Sequence, residues 1–380
     1  MSEAPIPYGR QWVDETDVAA VREVLLDDFL TTGPAVGRFE EALTAATGAR
    51  HAVAVSSGTA AIHAMYFAAG IGPGTEIVTS PLTFAATANA ALYLRARVRF
   101  ADVEADTGNL DPACVASMLG DETRAIAPVD FAGHPADYAG LEELAGAHGI
   151  PLLADAAHSL GAQYRGRLVG TLACASALSF HPVKAVTTGE GGAVVTDDDE
   201  LATAAARFRT HGVRRDRDLA AAEGEWFYEQ LDLGYNYRLT DIQAALGTSQ
   251  LRRLSAFLAR RREIAARYAE ALADVEGLEL PVQRDGVVHA WHIYVVRVRD
   301  AARRRTFFER LHALGLRVQV HYIPVYWHPY YRDLGFRPGL CPVAEDFYAR
   351  AVSLPIFPRL TDTQLEFAIE QVRRAARETL

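Results

Sequence analysis

The sequence predicts an α/β protein with a mostly parallel main sheet, covered by helices on both faces, and a smaller α+β unit after it. Short β-rich runs alternate with alanine-rich helical runs from residue 51 to about residue 200. Such alternation is typical of β-α-β units and therefore of a parallel sheet. With 380 residues, half of them hydrophobic, the chain can bury one large core and a second, smaller one.

The first helix is predicted at 14–28, because Val18, Val21 and Leu25 share one helical face and Asp14 is suited to cap its N-terminus. Seven strands are then predicted at 51–56, 76–80, 97–103, 124–129, 150–155, 175–180 and 192–196. A polar and aromatic loop at 211–237 ends this region.

One long helix, or two joined helices, are predicted at 240–274, where alanine, leucine, glutamine and arginine are frequent and proline is absent. Beyond it we expect a strand at 292–299, a helix at 301–314, a strand at 316–321 and a final helix from Thr361. We therefore expect a large domain at 1–250, which includes an N-terminal arm, and a small domain at 251–380.

Composition narrows the class of protein. A net charge of −10 argues against a general nucleic-acid binder, which needs a basic surface. The basic clusters at 260–262 and 303–305 are interpreted as solvated helix faces.

Three scattered cysteines suggest neither a disulfide framework nor a metal site. The sequence shows no signal peptide and no run long enough to cross a bilayer, so we expect a cytoplasmic protein with no membrane or nucleic-acid partner.

The segment Ser57-Gly58-Thr59 follows the first predicted strand and precedes a helix. Free backbone N–H groups and the positive end of the helix dipole make such a turn a site for phosphate, and Gly58 allows close approach. The alternative is an ordinary β–α turn capped by serine or threonine.

A second polar segment, Asp155-Ala156-Ala157-His158, lies at the carboxyl end of a buried strand, the edge where open α/β sheets bind ligands. Asp155 is suited to keep the pyridine nitrogen of a cofactor protonated, with His158 supporting the ring. The alternative is a helix-capping aspartate followed by a structural histidine.

The strongest signal is the stretch 179–192, in which one lysine, Lys184, stands between a strand and a glycine turn. An amine that attacks an aldehyde must lose its proton, which a partly desolvated lysine does most readily. The flanking Phe180, Pro182 and Val183 and the nearby glycines argue against a solvated surface lysine.

These segments, in this order, resemble the sugar aminotransferases of the DegT/DnrJ/EryC1/StrS family over nearly the whole chain. The resemblance implies the fold-type I architecture of pyridoxal 5'-phosphate (PLP) enzymes, similar to aspartate aminotransferase, with a seven-stranded sheet. It implies Lys184 as Schiff-base lysine and general base, Asp155 as partner of the pyridinium nitrogen and His158 as ring neighbour. The further cofactor contacts that it implies are Gly58, Thr59, Phe84 and Ser179.

The segment 234–241 resembles the one whose asparagine reaches the PLP phosphate of the neighbouring subunit. Asn236 takes that role here, which implies a homodimer with shared active sites. Arg238 is a candidate to bind the α-carboxylate of the amino donor, because a guanidinium suits a carboxylate. L-Glutamate is the donor that the family implies, and nothing in the residues excludes glutamine.

Three segments are similar to the transaminases of pseudaminic acid biosynthesis, which aminate C4 of a UDP-linked 4-keto-6-deoxy-N-acetyl-hexosamine. They are the arm at 6–11, the segment at 28–33 and the segment at 318–324. By resemblance, the residues that line the sugar-nucleotide site are Tyr8, Asp28, Phe29, Leu30, Thr31, His321, Tyr322, Ile323 and Pro324. The alternative for such aromatic and proline-containing stretches is packing of the small domain against the arm.

Other functions stay open at this point. One is C4 amination of another nucleotide-linked keto sugar, of the perosamine, bacillosamine or 4-amino-L-arabinose type. A second is a non-catalytic PLP-binding regulator. A sugar 3-dehydratase is disfavoured, because that branch of the family replaces the lysine with histidine and this chain keeps Lys184.

Overall fold

A computed structural model describes residues 5–380, apart from the side chains of residues 217 and 219; the first four residues of the predicted arm lie outside it. The α-helices of the described part are α1 (Glu15–Leu25), α2 (Pro34–Thr47), α3 (Gly58–Ala68), α4 (Ala86–Tyr93), α5 (Pro112–Ala116), α6 (Tyr138–His148), α7 (Asp199–Phe208), α8 (Arg217–Glu223), α9 (Asp241–Leu251), α10 (Leu254–Leu272), α11 (Arg304–Ala313), α12 (Pro329–Asp333), α13 (Pro342–Arg350) and α14 (Asp362–Thr379). None of them is long and apolar enough to cross a membrane.

The strands, in chain order, are β1 (Ile6–Pro7), β2 (His51–Val55), β3 (Glu76–Thr79), β4 (Arg97–Phe100), β5 (Thr123–Ala127), β6 (Leu153–Asp155), β7 (Gln163–Tyr164), β8 (Arg167–Leu168), β9 (Ala175–Ser179), β10 (Gly192–Thr196), β11 (Val213–Arg214), β12 (Glu229–Gln230), β13 (Leu278–Glu279), β14 (Val287–Val288), β15 (Tyr294–Val298), β16 (Leu316–Arg317) and β17 (Ala351–Leu354). The seven strands predicted between residues 51 and 196 are all present, which confirms the α/β class.

The main sheet consists of a four-stranded part, in the order β2-β10-β9-β6, and a three-stranded part, in the order β4-β3-β5. Isolated parallel bridges from Ile126 to Leu152 and from Val129 to Asp155 connect β5 with β6 and join the two parts. Strand β10 is antiparallel to both of its neighbours, and the other pairings are parallel. The polar ends of β6 and β9 therefore meet at one edge of the sheet.

Both faces of this sheet are buried, as a parallel sheet requires. Along β10, Val194 points into one hydrophobic cluster, with α3 and α7, while Ala193 and Val195 point into the other, with α2 and α6. Strand β2 alternates in the same way, because successive side chains of a strand point to opposite faces. The two helical layers thus hold the carboxyl edge of the sheet in a fixed position.

A third cluster is formed by the C-terminal elements β15, β17, α11 and α14. Helix α10 connects it to the rest, because Leu254 and Leu258 pack in the second cluster while Ile264 and Tyr268 pack in the third. The predicted strand at 316–321 is shorter than expected, and its first two residues pair in parallel with β1 of the N-terminal arm. The arm thereby joins the C-terminal part of the chain, and the domain boundary after residue 250 stays a prediction.

The apolar face predicted for the first helix is wrong. Asp14 caps α1 as expected, in a capping box with Asp17, but Val18 and Leu25 are exposed and Asp17 is buried. The Asp17 carboxylate accepts hydrogen bonds from Gln250, at 2.6 Å, and from Arg253. These polar partners on and just after α9 turn the Asp17 side of α1 inward, so that the apolar residues face outward.

The interpretation of 260–262 as a solvated face is also wrong for Arg261, which is fully buried on α10. Its guanidinium donates to the carbonyl oxygens of Trp291, His292 and Ile356 at 3.0–3.1 Å, and contacts that of Val183 at 3.5 Å. No carboxylate of residues 5–380 forms an ion pair with it, and burial lowers its pKa to about 10. Arg261 therefore links the Lys184 loop to two segments of the C-terminal part through backbone carbonyls.

We expect Arg261→Met to lower the free energy of unfolding by about 2–4 kcal/mol, because it leaves buried carbonyl oxygens without a donor. Arg305→Met on α11, which removes an exposed arginine paired only with Glu309, is the matched control. Thermal and urea unfolding of the PLP-free proteins measure the difference. Equal midpoints for the two variants would contradict the role given to Arg261.

Candidate active site

A cavity of about 530 Å³ opens at the carboxyl edge of the main sheet. Its polar lining comes from loops that follow four strands of the sheet, from the N-terminal arm and from the C-terminal part of the chain. The lining residues used below are Tyr8, Ser57, Gly58, Thr59, Thr83, Phe84, Asp155, His158, Ser179, His181, Lys184, Glu190, His292, His321 and Tyr322. This cavity is where the three sequence motifs come together.

The predicted phosphate cup is the N-terminus of α3. Ser57 caps the helix by accepting a hydrogen bond from the Ala60 N–H at 3.1 Å. A Cβ atom on Gly58 would lie 2.8 Å from Ser179 Cβ, and one on Gly192 would lie 2.4 Å from the Ser57 oxygen. Only glycine allows the cup to pack this closely against the ends of β9 and β10. The cup residues Ser57, Gly58 and Thr59 line the cavity at the N-terminus of α3, where backbone N–H groups lack helical partners.

Asp155 is buried at the end of β6. One carboxylate oxygen accepts a hydrogen bond from the Thr87 hydroxyl at 2.6 Å, and the other accepts from the Ala157 N–H at 3.1 Å. Burial raises the pKa of Asp155, while these two hydrogen bonds and the nearby Lys184 lower it. These bonds hold the Asp155 carboxylate in a defined orientation.

Lys184 is the only lysine in the chain. It follows β9 in a turn in which its N–H donates to the His181 carbonyl at 2.9 Å. Burial lowers the pKa of its amine to about 8, although the Asp155 carboxylate acts in the opposite direction. A neutral amine is therefore accessible near physiological pH, as nucleophilic attack on an aldehyde requires.

Three of the histidines that line the cavity, His158, His292 and His321, lie near Lys184. Burial lowers the pKa of His158 and His292 well below the ordinary value and that of His321 to about 4, and Lys184 lowers all three further. The rings of His158 and His292 lie 4.2 Å apart, and Nε2 of His158 is 3.2 Å from the Tyr322 hydroxyl. The lowered pKa values favour the neutral form of these histidines, and the buried Nδ1 of His158 has no hydrogen-bond partner in the described residues.

Several predicted site residues lie outside this cavity. Asn236 and the segment Asp28, Phe29, Leu30 and Thr31 are exposed to solvent. The two regions are neighbours, because Thr31 and Thr240 form a β-bridge and the Asp241 N–H donates to the Leu30 carbonyl. Together, residues 28–31 and 236–240 form one surface patch, in which Leu239 alone is buried and residues 28–31 and Asn236 are exposed.

At the other predicted segment, Tyr322 and His321 line the cavity, but Ile323 is exposed and Pro324 is buried away from it. Neither residue is among those that line the cavity of one chain, and their part in the sugar-nucleotide site stays a prediction. Strand β16 ends at Arg317, so the regular alternation of a strand no longer sets the directions of the side chains at 321–324.

The sequence reasoning missed Thr83, His181, Glu190 and His292, which also line the cavity. Thr83 could have been found, because a hydroxyl residue a few positions after a parallel strand lies at the ligand-binding edge. His292 follows no strand of the main sheet, and its position depends on packing between distant parts of the chain.

The comparison with family models decides the classification. The model of the DegT/DnrJ/EryC1/StrS aminotransferase family matches residues 11–373. The chain belongs to this family. It is a sugar aminotransferase, its architecture is fold-type I, and its cofactor is PLP.

Individual relatives agree with this membership. The spore coat polysaccharide biosynthesis protein SpsC of Bacillus subtilis is 39% identical over 374 residues, which cover 97% of this chain and 96% of SpsC. Spr1654 from Streptococcus pneumoniae, in its PMP form, superposes with a TM-score of 0.94 at 28% identity and covers 99% of this chain and 100% of its own. PseC of Helicobacter pylori, an aminotransferase of pseudaminic acid biosynthesis, gives a TM-score of 0.92 at 32% identity, covering 98% and 100%.

The residues of the cavity fit PLP. The glycine cup can hold its phosphate, Asp155 can face its ring nitrogen and the orphaned Nδ1 of His158 offers a further polar contact. Lys184 can supply the amine for its aldehyde. We therefore propose these residues as the ones that hold the cofactor.

Amine reactivity of the PLP-free protein provides a test of the Lys184 environment. A lowered pKa means that the fraction of neutral amine rises as the pH passes through about 8; a solvated lysine would need a pH near 10.4. We expect acylation of Lys184, followed by peptide mass spectrometry, to show this midpoint. The mapping separates Lys184 from the N-terminal amine, and a midpoint near that of a free lysine would contradict the buried environment.

Proposed function

We propose that the protein transfers the amino group of L-glutamate to C4 of a UDP-linked 4-keto-6-deoxy-N-acetyl-hexosamine of L configuration, in the pseudaminic acid pathway. The observation that carries this proposal is the placement of Tyr8, His321 and Tyr322 in one cavity with Lys184. These residues come from the arm and from the 318–324 segment, which resemble that branch. The similarity to PseC over 98% of the chain supports the same branch.

The proposed roles follow from the charges in the cavity. Bound PLP supplies an electron sink that stabilises negative charge at the carbon from which a proton is removed. The Asp155 carboxylate holds a proton on the ring nitrogen, because an opposite charge favours the protonated form. The Nζ atom of Lys184 removes and returns the proton, and its lowered pKa suits it to both directions.

The neutral groups of the lining are suited to select the sugar. Tyr8 and His321 have ring centroids 5.3 Å apart, and Nδ1 of His321 lies 2.8 Å from the Ser353 hydroxyl. A buried polar wall of this kind pairs with particular hydroxyl and amide groups and leaves unpaired atoms when an epimer binds. Discrimination between epimers is therefore expected to depend on Tyr8, His321 and Tyr322.

A homodimer with shared sites is supported by the charge of the cavity. Lys184 is the one lysine or arginine among its described lining residues, while the cofactor phosphate, the UDP diphosphate and the glutamate carboxylates are all anionic. The surface patch 28–31 and 236–240 holds Asn236 and Arg238, and the Arg238 side chain has no ion pair or hydrogen bond among the described residues. We propose that this patch completes the cavity of the partner, with Asn236 at the PLP phosphate and Arg238 as candidate for the donor carboxylate.

A second candidate is C4 amination of a different nucleotide-linked keto sugar. The 39% identity to SpsC, a protein of spore coat polysaccharide biosynthesis, is higher than the 32% identity to PseC. The reaction and the roles of Lys184 and Asp155 are the same for both candidates. They differ in the groups that Tyr8, His321 and Tyr322 bind.

The substrate is tested with a panel of UDP-, GDP- and dTDP-linked 4-keto sugars and ¹⁵N-labelled glutamate, with nitrogen incorporation measured by mass spectrometry. We expect the highest kcat/KM for the UDP-linked L-sugar, and a loss of at least about tenfold for its D-configured C5 epimer because buried polar groups are left unpaired. Preference for a dTDP or GDP sugar, or for a 4-keto pentose, would replace the first candidate by the second.

Shared sites are tested by mixing two inactive variants, Lys184→Ala and Asn236→Asp. In a hybrid dimer one site combines native Lys184 from one chain with native Asn236 from the other, so about a quarter of wild-type activity should return after full exchange. The matched control mixes Lys184→Ala with Asp155→Asn, which lie in the same cavity, and should restore nothing. Verified exchange without recovered activity in the first mixture would rule out the proposed sharing.

A further inference from the structure

The Asp155 carboxylate is hydrogen-bonded to one threonine, Thr87, which is hydrogen-bonded in turn to a second, Thr83. No sequence motif had indicated either residue. The Thr87 hydroxyl on α4 lies 2.6 Å from one carboxylate oxygen of Asp155, and the Thr83 hydroxyl lies 2.7 Å from the Thr87 hydroxyl. All three residues are buried, and only Thr83 and Asp155 line the cavity. Thr87 therefore does not line the cavity itself and acts on it through Asp155 and Thr83.

The direction of these bonds follows from counting hydrogens. A hydroxyl has one hydrogen to donate, and an ionised carboxylate can only accept. Thr87 also lies 3.4 Å from the Phe84 carbonyl oxygen, but the bond to Asp155 is much shorter. Thr87 thus donates to Asp155, Thr83 donates to Thr87, and the Thr83 oxygen is left as an acceptor toward the cavity.

The length of the bond indicates its character. A distance of 2.6 Å falls in the range of an O–H donor bound to an ionised oxygen, which is shorter and stronger than a neutral pair. Successive hydroxyl groups in a buried chain also polarise one another. The arrangement favours the charged form of Asp155 in a place where burial favours the neutral form.

We propose that Thr87, supported by Thr83, is a positioning residue that fixes the orientation of the Asp155 carboxylate and keeps it able to hold the protonated ring nitrogen of PLP. The proposal rests on the role of Asp155 proposed above. Among the other titratable groups near Asp155, the Lys184 charge lowers the pKa of Asp155, while the Asp155 charge raises the pKa values of Asp130, Tyr66, Tyr138 and Tyr322. None of these five side chains forms a hydrogen bond with the Asp155 carboxylate in the described residues.

The test uses binding of pyridoxamine 5'-phosphate (PMP) to the PLP-free protein, which needs no covalent bond to Lys184. Thr87→Val keeps the shape of the side chain and removes its hydroxyl. We expect the Kd for PMP to rise about ten- to hundredfold, because a hydrogen bond to a charged group is lost. Thr87→Ser, which keeps the hydroxyl, should restore the affinity to within about threefold of wild type.

Two controls separate positioning from packing. Thr79 on β3 of the main sheet is equally buried, and its hydroxyl donates to the Ala127 carbonyl at 2.7 Å. Thr79→Val removes this hydroxyl and should leave PMP binding unchanged. The 1-deaza analogue of PMP has no ring nitrogen, so it should bind Thr87→Val and wild type with similar affinity. Equal losses for PMP and for the analogue would mean that Thr87 serves only packing, which would overturn the proposal.

The pH dependence gives a second signature. Without the Thr87 bond the Asp155 carboxylate takes up its proton at higher pH, and a neutral carboxyl group cannot hold the pyridinium ion. The acid limb of PMP affinity should therefore move to higher pH in Thr87→Val and return in Thr87→Ser. An unmoved limb would contradict the proposal, and Thr87→Ala offers the same comparison if Thr87→Val does not fold.

The Asp155→Asn variant distinguishes a failure of the role proposed for Thr87 from a failure of the role proposed for Asp155. If it loses affinity for PMP while Thr87→Val binds like wild type, only the role of Thr87 is overturned. If Asp155→Asn itself binds PMP as tightly as wild type, the proposed role of Asp155 fails, and that of Thr87 fails with it.

Discussion

Desolvation acts on two groups of one cavity in opposite ways. In the proposed reaction Lys184 has to lose its proton, and burial lowers the pKa of its amine to about 8. Asp155 has to keep its negative charge in the same proposal, and burial raises the pKa of its carboxyl group. The site therefore needs a compensating interaction only at the carboxylate, and the hydrogen bonds from Thr87 and from the Ala157 N–H provide it.

The fold delivers these groups to one place by strand pairing. Asp155 at the end of β6 is in register with Ala177 of β9, so the loop that carries Lys184 begins beside the carboxylate. Antiparallel β10 brings its first residue, Gly192, against the cup at the end of β2. On the opposite side, buried Arg261 contacts the carbonyl oxygen next to Lys184 and binds two segments of the C-terminal part. The loop that carries Lys184 and the C-terminal part of the chain are thus connected through backbone carbonyl groups.

The sequence predicted the strands, the glycine cup, Asp155 and Lys184, because each follows from a local pattern: alternation, a turn between strand and helix, or a polar residue after a buried strand. It did not predict that Arg261 is buried or that α1 turns Asp17 inward, since both depend on partners far away in the chain. Thr87 was missed for the same reason, because its partner Asp155 lies 68 positions later. Asn236 was predicted from resemblance; it is exposed in the single chain, and its role at the neighbouring subunit stays a prediction.

The proposed chemistry depends most on the amine of Lys184. Because Lys184 is the only lysine of the chain, this amine can be measured directly. Borohydride reduction of the PLP-loaded protein fixes the bond between an amine and the cofactor, and intact-mass and peptide mass spectrometry then locate it. We predict one pyridoxyl group per chain, on the peptide that contains Lys184, and none on that position in Lys184→Arg. A native protein that binds PLP and turns over sugar while Lys184 stays unmodified after reduction would contradict the account.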